Sequence, residues 1–209
     1  MYLIGKGAQY RVYDTLDGRV LKKLLTHAET FEIMAEWHAS GNVPINRVSE
    51  DYTLNAINAS KSFKRLIADY PELRETLGNP LFLDETSYSQ DKVQPIGNSL
   101  TSVNLEQGKS IIDAYVHLII THWRYGFCDK VFNFTINNGI DSYGNVVLID
   151  FGEVSFLKSD IVRRIHNQRW LQAWSYLEDF PEMLKNYYVN KMKEDITTRK
   201  LSDVWKASL

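Results

Sequence analysis

Asn137-Asn-Gly-Ile-Asp-Ser-Tyr-Gly144-Asn-Val-Val-Leu-Ile-Asp150-Phe-Gly-Glu153 is the stretch whose reading decides the fold. Val146 to Ile149 is a short apolar, β-branched run, introduced by the turn signal Tyr143-Gly144-Asn145 and closed by Asp150. It predicts a buried strand that delivers a carboxylate at its tip. Upstream, Tyr125-Gly-Phe-Cys-Asp129 places a second acid, and Asn137 stands 13 positions before Asp150. Two carboxylates and an amide are the oxygen donors that magnesium-dependent phosphoryl transfer uses. Taken alone, the same run also fits an ordinary β-hairpin whose Asp caps a turn, so a second, independent motif decides.

That motif is at the amino terminus. Leu3-Ile4-Gly5-Lys6-Gly7-Ala8-Gln9-Tyr10-Arg11-Val12-Tyr13 reads as strand, glycine turn, strand. Glycine permits close backbone approach to phosphate oxygens. Asp17-Gly18 is a hairpin signal, and the strand expected after it, Arg19 to Leu24, puts Val20 and Lys22 on one face and Leu21 and Lys23 on the other. A helix is expected from about Ala28 to His38, with Phe31, Met34 and Ala35 at helical spacing and Glu29, Glu32 and Glu36 on roughly one face.

Glycine loop, lysine, acidic helix, Asp129, Asn137 and Asp150-Phe151-Gly152 arrive in an order that resembles the protein-kinase-like superfamily, over about residues 3 to 46 and 109 to 153. The relatives in view are compact effector kinases and aminoglycoside phosphotransferases. The resemblance implies an α+β, bilobal fold with a truncated helical C-lobe, in a single domain with an N-lobe over about 1–95 and a C-lobe over about 96–209. It implies ATP and Mg2+ as cofactors. Gly5, Gly7 and Val12 would cover the nucleotide, Lys22 would meet the α- and β-phosphates, and Glu32, or alternatively Glu36, would orient that lysine. Asp129 would serve the acceptor hydroxyl, and Asp150 with Asn137, or alternatively Asn133, would hold the metal. Three departures stand out. Tyr10 replaces the third loop glycine, Phe127-Cys128 replaces the usual His-Arg, and Asp129 lies 8 positions before Asn137 where kinase loops use about five.

Elsewhere, Ser60 to Leu77 reads as a helix broken by Pro71, and the strand-like Lys92 to Ile96 is the expected hinge, with Gln94 and Ile96 beside an adenine. Gly108 to Trp123 predicts a strong helix with the stripe Ile112, Tyr115, Val116, Ile119 and Trp123, on which His117 and His122 are read as structural. Further helices are expected over Asp160–Phe180 and from Pro181 to about Lys193. No Ala-Pro-Glu motif follows Glu153, which leaves no activation segment of the eukaryotic kind.

A chain of 209 residues with 44% hydrophobic residues buries a substantial core. Its net charge of −2 makes no electrostatic case for nucleic acid or a membrane surface. Cys128 is the single cysteine, which excludes an internal disulfide and a multi-cysteine zinc site; it is read as a buried structural thiol. Neither a membrane-length apolar run nor a signal-peptide n-region is visible. The expectation is a cytoplasmic kinase, or one delivered to a host cytosol, acting on a hydroxyl of a protein or small molecule. A pseudokinase that only binds nucleotide or protein, and a protein AMP transferase, are the alternatives.

Overall fold

A computed structural model describes residues 1–39, 44–172 and 180–206. The chain is α+β, with antiparallel sheets and eight helices among the described residues, and it divides into two compact units, Met1–Lys92 and Val93–Leu209.

The first unit is built on strands β1 (Tyr2–Lys6), β2 (Tyr10–Asp14), β3 (Arg19–Leu24), β4 (Leu81–Phe82) and β5 (Ser87–Asp91), ordered β1-β2-β3-β5-β4 and antiparallel throughout. Alternation sets its inner face: Val20 and Lys22 of β3, and Tyr88 and Gln90 of β5, are buried. The tight turn before β3 needs left-handed backbone, which Leu16 (φ 68°) and Gly18 (φ 84°) supply. Helix α1 (His27–Trp37) opens with a capping box, Thr26 Oγ1 accepting from the Glu29 amide at 3.3 Å and the Glu29 carboxylate accepting from the Thr26 amide at 3.0 Å.

Helix α2 runs over Ile45–Asp69, starting well before the predicted Ser60. Its buried stripe is Ser49, Ala56, Ala59, Ser60, Phe63 and Ile67, so small residues face the core along its first half and large apolar ones appear only from Phe63. Pro71 ends it as expected, since proline has no amide to donate and restricts the residue before it, and a single turn α3 (Leu73–Thr76) follows. Gly41, Asn42 and Val43, which follow the helix predicted to His38, lie outside the described residues.

In the second unit the predicted hinge strand shrinks to β6 (Gln94–Pro95), and Ile96 begins a short helix α4 (Ile96–Leu100). The long helix α5 (Leu105–Arg124) buries the predicted stripe. It begins earlier than expected because Asn104 and Gln107 form a reciprocal capping box, each amide donating to the other's side-chain oxygen at 3.0 Å. Strands β7 (Cys128–Asp129), β8 (Asn138–Ile140), β9 (Val146–Leu148) and β10 (Val154–Ser155) follow; β6-β8-β9 make one small sheet and β7-β10 another. Helices α6 (Lys158–His166), α7 (Glu182–Asp195) and α8 (Thr198–Val204) pack with α5 around an aromatic core.

The helix predicted over Asp160–Phe180 stops at His166, where Gln168 turns left-handed (φ 44°); its Trp174 and Leu177 lie outside the described residues. No helix among the described residues is long and apolar enough to cross a membrane.

Candidate active site

Two short strands bring the acids together. Asp129 ends β7 opposite Val154, and the Lys130 amide donates to the Glu153 carbonyl at 2.9 Å, so the backbone ladder holds Asp129 and Glu153 side by side. The chain between Asp129 and Asn137 is a folded loop rather than slack. Phe132 adopts φ 53°, and Phe132 and Phe134 are both buried, Phe132 edge-on to Trp170 and Phe134 between the rings of Tyr115 (4.8 Å) and Tyr188 (5.1 Å). The two rings pin the extra loop residues to the core and return Asn137 beside Asp129.

Asp129 is only 5% exposed. Its Oδ1 accepts from the Val131 amide at 2.9 Å, and its Oδ2 accepts from the Asn133 amide at 3.2 Å and from Asn137 Nδ2 at 3.3 Å. Burial, and next the negative Glu153, push its pKa up to about 7 against these donors. Asn137, 2% exposed, also donates from Nδ2 to Glu153 Oε2 at 3.2 Å. Its main-chain carbonyl accepts the amides of Ile149 (2.8 Å) and Asp150 (3.2 Å). Asp150 tips the strand as predicted, with Oδ1 accepting from the Gly152 amide at 3.0 Å.

Of the two asparagines, Asn137 is the one whose side chain meets Asp129. Asn133 acts through its backbone carbonyl, which accepts from the Asn137 amide (3.1 Å) and from Asn138 Nδ2 (3.0 Å), while its own Oδ1 is buried without a partner. Glu153 was not singled out from sequence. Its signal is only the Glu directly after Asp150-Phe-Gly, and its role emerges from the β7-β10 pairing.

In the first unit, β1 and β2 close a narrow hairpin in which the Gly7 amide donates to the Tyr10 carbonyl at 2.9 Å and Gly5 sits opposite Val12. A Cβ at Gly5 or Gly7 would meet nothing nearer than 3.9 Å and 4.0 Å respectively. Tyr10, standing where a third glycine was expected, is buried and packs edge-on against Tyr88 with ring centroids 5.4 Å apart. It serves the core of this unit, which accounts for the departure. Lys22 is 7% exposed, lies between Val12 and Tyr88 in register, and holds Nζ 5.7 Å from the Tyr88 ring centroid.

Glu32 and Glu36 are both exposed, and no ion pair of either with Lys22 occurs among the described residues. The acid of α1 that reaches the sheet is Glu29, which pairs with Arg11. Gln94 is exposed on β6. The Ile96 side chain is fully buried in the second unit's core, so its backbone is the part left for a ligand. Cys128 is 1% exposed and burial pushes its thiol well up, as fits an inert structural cysteine. His122 is likewise buried, stacked on Phe127 at 4.4 Å.

Among the described residues no group of three or more His, Cys, Asp or Glu side chains is arranged to hold a metal ion. The oxygen set in the second unit is the carboxylates of Asp129, Asp150 and Glu153 with the Asn137 amide. Asn137 Oδ1 and Asp150 Oδ2 accept no hydrogen bond among the described residues. These are hard oxygen donors, the type that hard cations take.

No family model matches the chain, and no curated protein matches it. Among solved structures, the complex of Rv3197 with erythromycin from Mycobacterium tuberculosis is similar with a TM-score of 0.49 and 12% identity, over 84% of this chain and 53% of that one. The chain thus spans about half the length of that structure.

Proposed function

We propose that the chain is an ATP- and magnesium-dependent phosphotransferase with a bilobal, protein-kinase-like fold, moving the γ-phosphoryl group to a hydroxyl of a protein or small molecule. One observation carries the reading. Asp129 and Asn137, 8 positions apart, are joined by a side-chain hydrogen bond of 3.3 Å, and the Asn137 carbonyl holds the Asp150 amide at 3.2 Å. A turn-capping hairpin acid has no need of a buried second acid and a shared amide.

In this reading Asp150 and Asn137 Oδ1 would hold magnesium, which would supply neutralising charge for the phosphates. Gly5 and Gly7 admit the phosphates close to the backbone, Val12 covers the base, and Lys22 offsets charge on the α- and β-oxygens. Asp129 takes the proton of the acceptor hydroxyl as its oxygen bonds to the γ-phosphorus and the bond to ADP breaks. A group poised near pH 7 suits that task. The setting that supplies both ATP and magnesium is the cytosol, the chain's own or a host's.

The test is incubation with magnesium and ATP labelled separately at the α- and γ-phosphate, with protein and small-molecule hydroxyl acceptors. Transfer of γ-label supports the proposal. Transfer of α-label replaces it with an AMP transferase, and nucleotide binding with no transfer replaces it with a pseudokinase.

A further inference from the structure

Glu153 lies outside every role assigned above, yet it touches the residue on which the metal assignment turns. An asparagine amide has two nearly indistinguishable ends, of which only the oxygen can ligate a cation. Here the two Nδ2 protons have two carboxylate acceptors, Asp129 Oδ2 at 3.3 Å and Glu153 Oε2 at 3.2 Å. Turning the amide over would set Oδ1 against both carboxylates, oxygen to oxygen. The paired acids therefore fix which end of Asn137 faces away from them.

Asp129 alone supplies one of those acceptors, and two amides in its own loop already draw on it. The second acceptor comes from Glu153, which the β7-β10 ladder and the Lys130-to-Glu153 backbone bond at 2.9 Å set at this spot. We propose that Glu153 is a positioning residue that locks the Asn137 amide with Oδ1 presented to the metal. The catalytic consequence rests on the phosphotransferase reading; the amide orientation does not.

Two measurements keep those apart. The first follows hydrogen exchange of the 15N-labelled Asn137 side-chain amide, assigned with Asn137→Ala, in the protein without nucleotide. Wild type and Glu153→Gln, which retains an acceptor, are expected to protect both protons, and Glu153→Ala to lose protection roughly 10-fold or more at one of them. Equal protection in Glu153→Ala overturns the proposal whether or not the protein transfers phosphate.

The second measurement is Mn2+ binding in the presence of a non-hydrolysable ATP analogue, read by electron paramagnetic resonance. Supporting partners of metal ligands are worth roughly 10-fold or more in affinity. Glu153→Ala is expected to weaken Mn2+ by about that factor, Glu153→Gln to restore most of it, and Glu153→Ala to add nothing in an Asn137→Ala background. Equal loss in the Gln and Ala variants, additive with Asn137→Ala, would make Glu153 a ligand in its own right and sink the positioning role. If wild type holds no Mn2+, the phosphotransferase reading fails and the exchange result alone judges the orientation.

Discussion

The main-chain carbonyl of Asn137 accepts the amides of both Ile149, at 2.8 Å, and Asp150, at 3.2 Å. The half of the site that carries Asp129 is thus tied to the Asp150 half by backbone, and removing the Asp150 carboxylate leaves the tie in place. Asp150→Ala is expected to melt within a few degrees of wild type while γ-phosphoryl transfer falls by roughly 10²-fold or more, since the charge stabilisation lost belongs to the transition state. Circular-dichroism melting and single-turnover assays read the two effects. Undiminished transfer would remove Asp150 from the site.

The raised Asp129 pKa has a definite sign in stability. Unfolded, the group releases its proton near 3.8; folded, it keeps it to about 7. Between those values the native state binds more protons, so the contribution of this group is fully present below about pH 4 and is lost as pH rises towards 7. Transfer rises over the upper part of that window, because the base must be ionised to work. Urea melts of wild type and Asp129→Asn at pH 5, 6, 7 and 8 check this: the downward slope belongs to wild type, and an identical slope in the variant would assign it to another group.

Lys22 offers a separation of folding from function. Its aliphatic stem is buried between Val12 and Tyr88, and methionine matches that shape. Lys22→Met is expected to keep the chain folded, with a stability change within roughly 1–3 kcal/mol, because the volume of the buried stem is conserved. Transfer should fall by roughly 10²-fold. Thermal melts alongside ATP titrations of the rate decide it, and retained turnover would exclude the lysine.

At Gly139, on β8 opposite Pro95, a Cβ would run into a γ-methyl of Val93 and stand 3.0 Å from the Gln94 carbonyl oxygen. Gly139→Ala is expected to cost about 1–3 kcal/mol as overpacking. Adding Val93→Ala should return part of that, with a coupling above roughly 0.5 kcal/mol in a double-mutant cycle of urea melts. Strict additivity would show that the clash is not what Gly139 avoids.

The Tyr188 hydroxyl is buried and lacks a hydrogen-bond partner, while its ring stacks on Phe134. Tyr188→Phe keeps the stack and removes the stranded polar group, so stability should hold or rise by up to about 1 kcal/mol. A loss beyond about 2 kcal/mol on calorimetry would mean that the hydroxyl is bonded through an internal water.

Where one face carries large apolar side chains at a regular period, the sequence was legible. Ile112, Tyr115, Val116, Ile119 and Trp123 marked α5, and Val146 to Leu148 marked the strand that ends at Asp150. Small-residue packing was not: Ser49, Ala56 and Ala59 bury the first half of α2 without apolar contrast. Strands β4 and β5 escaped for a related reason, since Ser87-Tyr-Ser-Gln-Asp91 places a single large apolar ring, Tyr88, on its buried face. Within the candidate site, the kinase resemblance singled out Asp129, Asn137 and Asp150, which the fold places near one another. Glu153 depended on a two-residue ladder with no pattern of its own; Glu32 is exposed, and the acid of α1 that meets the Thr26 cap and Arg11 is Glu29.

Neither Gly5 nor Gly7 occupies left-handed backbone, and the nearest atoms to an added Cβ are 3.9 Å and 4.0 Å away. Folding therefore makes no demand on their smallness. An engineer inherits a dial whose first step, Ala at Gly5 or at Gly7, thickens the hairpin at nearly constant melting temperature. Turnover plotted against side-chain volume would then gauge the clearance above whatever lies beneath the loop.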